Sequence, residues 1–485
     1  MKKFFAIILT TFLMTGIFCT TAFAADTVLR VGGEKSDGTI VVVSNHSNFA
    51  EGWEAAVDLA RNKKEMNNKG FLRVVVDFYA DWNANSIGEF GDSDDDGFQY
   101  STLYVPQNTR ILLNLNGHTI NRGLKEWEYD GEVMYIDNHA NIVINNGTIT
   151  GGWSCNGAGG IHINDNANVV LNNVNIVGNN VEDDDGTGIA VYDGATLTMN
   201  GGCVSNNTSY STFPAVYGGG VYIEDSSAFF TDVTFQNNQS VEFPTHGAAV
   251  YVDDGTVVMD KCKVIDNGRQ IKNNGIQYTG AYTIIDISNG SHVALKDTVF
   301  LTNGYAQEAY TGINTQLHTA VIKITASDLT MEKCTFTGNN QVYLMQSEAA
   351  MLTILDSDFT GNDSFAFYGY CANISNNTFT NCRFSCNKPM LDLNDTFYFS
   401  VRQTHLKFID CDFEESTFND HSRATFIDSD DNTKTPVGSI FGEGSLPMIF
   451  SLLAIITSIA SICISVTLNK KKEVPTTASK MAEDE

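Results

Sequence analysis

Three groups of side chains in this 485-residue sequence have types and spacings that suit chemistry. Asp92-Ser-Asp-Asp-Asp-Gly97 puts acids at relative positions 1, 3 and 5 and glycine at 6, the opening of a calcium-binding loop. Asp92, Asp94 and Asp96 are therefore candidate ligands for calcium, the one cofactor the sequence suggests. Position 12 is Leu103 instead of a bidentate Glu, so half the ligand set is missing and a solvated acidic turn explains the same residues. A second group, Asp183, Asp184 and Asp185 with Asp253 and Asp254, supplies carboxylates of the kind that cleave glycosidic bonds in pairs. The third is aromatic: Tyr210, Phe213, Tyr217, Phe243, Tyr278, Tyr282, Tyr305 and Tyr310, candidate ligand-binding residues because a phenol joins flat apolar area to a hydroxyl. The nine His show no i,i+4 pair of a metal-binding helix.

These residues are carried by a repeat. A nine-residue pattern recurs ten times, as in Leu171-Asn-Asn-Val-Asn-Ile-Val-Gly-Asn179, Phe230-Thr-Asp-Val-Thr-Phe-Gln-Asn-Asn238 and Met331-Glu-Lys-Cys-Thr-Phe-Thr-Gly-Asn339. Its last apolar position falls at Ile149, Ile176, Val204, Phe235, Val264, Phe300, Phe336, Phe359, Phe384 and Phe413, with spacings of 23 to 36 residues. Apolar and polar residues alternate within each copy, which is the period of a strand with one buried face. The closing Asn suits a tight corner, since Asn tolerates left-handed backbone angles, and stacked Asn side chains can ladder along the axis. A second strand recurs at the same period in Gly159-Gly-Ile-His-Ile163, Gly218-Gly-Gly-Val-Tyr-Ile223 and Gly247-Ala-Ala-Val-Tyr-Val252. Each coil thus holds at least two strands and a glycine corner, and ten coils at ~4.8 Å each make a rod of roughly 50 Å.

At these motifs the chain resembles the right-handed parallel β-helix (pectate-lyase-like) superfamily, and its Phe-x-x-Asn copies at Phe235, Phe300, Phe336, Phe359 and Phe384 resemble repeats of polymorphic outer-membrane proteins. The resemblance covers about residues 105–428 and implies an all-β, right-handed solenoid. Such folds host polysaccharide lyases and glycosidases, but fold alone assigns no activity. From residue 123 to 401 the only arginines are Arg269 and Arg383, and no Gly-His-Gly or Arg-Ile-Lys segment occurs, so neither lyase-like nor polygalacturonase-like catalysis is supported. His118 and His162 read as surface or corner residues. The coils swell at residues 180–186, 208–217, 239–246, 268–282 and 304–318, all after the same Asn corner. Stacking should project these segments, with the aromatic group, from one face, and insertions on one face of a solenoid are often its binding surface.

The ends and the composition set the context. Lys2 and Lys3, the apolar run to Phe18 and Ala22-Phe-Ala24 read as a signal peptide over residues 1–24. Residues 25–104 lack the repeat and form an N-terminal cap: Asn48 and Glu51 make a capping box, and Phe49, Trp53, Ala56, Val57 and Ala60 share one helical face. Segments 71–79 and 111–115 read as the first strands. The solenoid at 105–428 is followed by a polar linker at 429–445, an uncharged apolar span at 446–468 and a tail at 469–485 that begins with Lys470, Lys471 and Lys472. That order predicts a single-pass plasma-membrane protein with its N-terminal domain outside and its C-terminus in the cytoplasm. A net charge of -28, dispersed along the chain, makes nucleic acid an unsuitable partner. Of ten Cys, four (Cys262, Cys334, Cys382 and Cys411) lie two residues before the repeat anchor, where they should point inward as small apolar residues. The sequence therefore reads as a membrane-anchored surface protein, adhesin-like and binding an extracellular glycan or a cell-surface protein without catalysis. The alternatives are a surface polysaccharide lyase or glycoside hydrolase, and a structural envelope spacer.

Overall fold

Three parallel strands make each of the coils between Asn141 and Asp253. In one coil they are Asn168–Val177, Asn180–Glu182 and Ile189–Val191, and the next coil repeats them at Thr196–Ser205, Thr208–Ser211 and Val221–Glu224. The computed structural model describes residues 27–83, 102–211, 216–269, 272–273, 276–277, 281–304, 319–341, 343–362, 365–370, 376–385, 405–413 and 424–428. The expected signal peptide, linker, apolar span and tail lie outside these residues, as do Asp92, Asp94, Asp96, Phe213, Tyr278, Tyr305 and Tyr310. Among the described residues no helix is long and apolar enough to cross a membrane.

The strands stack into a long sheet, a return sheet running from Leu103–Val105 to Phe365–Tyr370, and a short sheet of four strands from Trp153–Ser154 to Gln239–Glu242. All ten anchors from Ile149 to Phe413 sit opposite one another in unbroken register. The column continues backwards through Ile120 to Trp82, so the solenoid begins inside the region expected to be cap alone. Its interior along the long sheet is largely apolar, rich in Ile, Val and Leu in the first coils and with Phe300, Phe336, Phe359 and Phe384 stacked further on.

The long strand bends at the third residue of the repeat, where Asn146, Asn173, Gly201, Asp232, Asp297, Asp356, Asn381 and Asp410 adopt positive φ, as do Lys261 and Lys333. Asn, Asp and Gly dominate because they accept the left-handed conformation at least cost. The closing Asn behaves differently from the sequence expectation. Its predecessor takes the left-handed turn, at Gly178, Asn206, Asn237, Asp266, Thr302, Gly338 and Gly361, whereas the Asn itself is buried. Asn179, Asn207, Asn238, Asn267, Asn303, Asn339 and Asn362 form the anticipated ladder, the first six each donating from Nδ2 to the next coil's Oδ1 at 2.9–3.2 Å. The same Oδ1 also accepts the preceding coil's Asn backbone N–H, and the second Nδ2 proton goes to a carbonyl such as that of Val264 or Phe300. The glycine corner serves this ladder: a Cβ on Gly188 would lie 3.0 Å from the Asn207 amide nitrogen and 2.5 Å from the Gly220 carbonyl oxygen.

At the first coil, β1 (Leu29–Lys35) pairs antiparallel with β2 (Ile40–His46) and with β3 (Phe71–Phe78). The hairpin was not foreseen. Between β2 and β3 run α1 (Phe49–Arg61) and α2 (Lys63–Lys69). The N-cap half of the capping box is present, with Asn48 Oδ1 accepting the Glu51 N–H at 3.1 Å, and Trp53, Ala56, Val57 and Ala60 bury against β1 and β3. Cys262, Cys334 and Cys382 are buried free thiols, and Cys411 is half-buried. Burial pushes the Cys262 and Cys334 thiols up to about 12.

Candidate functional site

The short sheet follows the Asn ladder, so the ladder fixes where its side chains point. Val181, Ser209 and Ser240 face inward and are buried. By the alternation of a strand, Trp153, Asn180, Thr208 and Gln239 face out, as do Glu182, Tyr210 and Val241. Trp153 and Tyr210, from coils two apart, stack across this face with ring centroids 5.0 Å apart. The loop before it extends the sheet by one bridge, Glu128 to Ser154, which sets Trp127 beside Trp153 and Tyr129 beside Cys155. Trp127 is 53% exposed and Tyr129 67%, the large exposed aromatics among the described residues.

Buried polar groups hold this loop. Arg122 is inaccessible to solvent and donates from Nη2 to Glu128 Oε2 at 3.2 Å. Glu132 lies buried, and desolvation raises its carboxyl to about 8, so it is largely protonated at neutral pH. Ser154 Oγ meets it at 3.5 Å. The 155–157 turn ties in the next acids: Asn156 Nδ2 donates to Asp130 Oδ1 at 3.4 Å, and the Gly157 N–H to Asp184 Oδ2 at 2.7 Å. The Cys155 thiol is raised by burial first and then by the charges of Asp184, Asp130 and Glu182.

The predicted aromatic group is divided by the structure. Tyr210 belongs to the stacked face. Tyr217 is half-buried, tilted against Tyr251 and His246, and its backbone N–H donates to Asp185 Oδ1 at 2.7 Å. Phe243 is half-buried in the turn after the short strand. Tyr282 corrects the reading of an exposed ligand-binding ring: it is only 8% exposed and packs on His246 at 4.8 Å. It immediately precedes the return strand Thr283–Ser288, so it belongs to the packed edge of that sheet and not to the loop. The paired-acid set is also separated. Asp183, Asp184 and Asp185 precede a return strand, while Asp253 ends one and Asp254 follows it. Asp185 is a turn acceptor that burial lifts to about 7.

A different acid stands out on the outer face of the return sheet. Asp286, 2% exposed, takes His246 Nδ1 at 3.1 Å and Thr283 Oγ1 at 3.0 Å on one oxygen, with Lys323 Nζ at 3.8 Å from the adjacent coil. The His246 ring lies between Tyr217 and Tyr282. His162 is likewise a strand residue in a ring stack between Tyr135 and Tyr192, and burial pushes its imidazole down to about 4. Among the described residues no group of three or more His, Cys, Asp or Glu is placed to hold a metal.

The sequence profile for the right handed beta helix region matches residues 108–291 and 270–435, more than half of the chain. The chain belongs to this family. No curated protein and no solved structure matches it. In this β-helix, Trp153 was within reach of the sequence: it lies four residues beyond the anchor Ile149, in phase with Asn180, Thr208 and Gln239. Trp127 and Tyr129 follow an irregular loop with no repeat phase to mark them.

Proposed function

We propose that this β-helix protein is a single-pass plasma-membrane protein, its N-terminal domain outside the cell, that binds an extracellular glycan without cleaving it through the aromatic face of the short sheet. The observation that carries the reading is the placement of exposed Trp127 and Tyr129, on a loop bridged to the short sheet at Glu128, beside the stacked Trp153–Tyr210 pair. Sugar rings present apolar C–H faces that pack on such rings, and the Glu128–Ser154 bridge together with the Arg122–Glu128 bond ties the loop to the sheet. The apolar span at 446–468 and the signal peptide at 1–24 supply the anchoring part of the proposal. Full-length protein in detergent micelles, passed over immobilised polysaccharides, tests it. Retention without new reducing or unsaturated ends, lost on combining Trp127→Ala with Tyr129→Ala, is the expected result; turnover of any retained glycan defeats it.

A second reading, a surface lyase or glycoside hydrolase, draws on the His246–Asp286 pair, since a buried carboxylate that orients an imidazole is a recurrent acid–base arrangement. Turnover abolished by His246→Ala would select it.

A further inference from the structure

We infer that the glycan held by the aromatic face carries free amino groups, so that the ligand is a cationic amino-sugar chain and not an acidic or fully acetylated one; this rests on the glycan-binding reading above. The argument is charge complementarity around a surface already shaped for rings. Glu126, Glu128 and Asp130 accompany Trp127 and Tyr129 on one loop, and Glu182, Asp183 and Asp184 lie at the end of the neighbouring short strand. The basic residues of these two segments are Arg122, which is buried against Glu128, and Lys125. Asp130 and Asp184 are fixed by consecutive residues of one turn, Asn156 and Gly157, so two carboxylates from coils two apart, about 10 Å along the axis, converge on the Cys155 position between Tyr129 and Glu182. The upward pull of Asp184, Asp130 and Glu182 on the Cys155 thiol reports the same negative field.

A uronate laid on this face would bring like charge to these acids, and the net charge of -28 opposes its approach. An acetylated sugar would find the rings but bring no positive charge to the acidic residues around them. An ammonium satisfies both, pairing with a half-desolvated carboxylate and lying over an aromatic face.

The test titrates full-length protein in detergent micelles with three oligosaccharides of equal length: glucosamine, N-acetylglucosamine and galacturonate chains. At about pH 5.5, where the amine is protonated and ordinary carboxylates are ionised, the glucosamine chain should bind tightest, by roughly ten-fold over the acetylated chain, and its affinity should fall with salt. Combining Asp130→Asn with Asp184→Asn should erase that preference with an unchanged thermal melt, because Asn Oδ1 can still accept the Gly157 N–H. Equal binding of the acetylated chain overturns the amino-sugar assignment and leaves glycan binding standing. Tighter galacturonate overturns it as well, as does competition by poly-lysine as effective as by the amino sugar, which would mean the face reads charge alone. Binding of none of the three removes both proposals.

Discussion

The first and last coils of this β-helix use aromatic rings in opposite ways. From Tyr104 to Tyr251 the rings stand outside: Tyr104, Tyr135, His162, Tyr192, Tyr222 and Tyr251 follow one another at centroid distances of 4.8–5.9 Å along the return sheet, over an interior in which Ile, Val and Leu predominate and Phe230 and Phe235 enter only near its end. In the later coils the rings move inside, where Phe300, Phe336, Phe359 and Phe384 stack at 4.3–4.9 Å. The same type of contact thus performs different work on the outer face of the return sheet and on the inner face of the long sheet. An interior ring removes its whole surface from water and ties neighbouring coils together. A ring on the outside packs chiefly on its neighbours in the column, which leaves Tyr222 and Tyr251 only 6% and 9% exposed.

The sharpest break of the later half is Phe336→Asp, which puts an unpaired charge between Phe300 and Phe359. A cost above about 4 kcal/mol is expected, read as loss of folded protein; normal yield with an unchanged melt would show that these rings do not bear the load. Next is Asn303→Ala. It removes the acceptor of the Asn267 N–H and amide and the donor to the Val264 carbonyl, all buried. About 3 kcal/mol is expected, measurable by denaturant unfolding.

Acidity probes the earlier half. The Glu132 carboxyl, raised from 4.5 to about 8, holds a proton in the folded chain that the unfolded chain has released between those values. Its contribution to stability is therefore fully present at low pH and is lost as the pH climbs towards 8. Asp185, raised from 3.8 to about 7, acts in the same direction. Combining Glu132→Gln with Asp185→Asn should flatten the fall in melting temperature between about pH 5 and pH 8; an unaltered slope would place its origin elsewhere. Smaller still is Tyr282→Ser, expected to cost about 1–2 kcal/mol because the ring is packed on His246. The Trp127→Ala, Tyr129→Ala pair closes the series. It should change stability by less than about 0.5 kcal/mol while removing glycan retention, and several degrees of lost melting temperature would reclassify those rings as packing groups.

The long sheet was legible because its inward positions are apolar and recur with a period of two, so each anchor from Ile149 to Phe413 could be placed from the residues alone. The short sheet was not. Its strands span only two to four residues, and Ser209 and Ser240 occupy inward positions, so the apolar alternation that announces a strand is absent and the segments read as loops. Tyr282 was misread because loop length was counted from the Asn corner without knowing where the return strand resumes. The cap helix was legible from its capping box, but the antiparallel hairpin in front of it carries Gly32 and Gly33 and an exposed β2, which blur the pattern of a half-buried strand.

The Asn ladder also has a direction. Each amide donates towards the coil that follows it in sequence, and each is completed by an oxygen that the following coil supplies. A chain that emerges N-terminus first, from a ribosome or through a pore, therefore always ends in a coil whose Asn has two donors waiting and none of the acceptor that will occupy them. Docking of the next coil satisfies both at once, and backward slippage would have to expose them again. The ladder is then a ratchet: it makes vectorial growth of the rod progressively harder to reverse, one coil at a time.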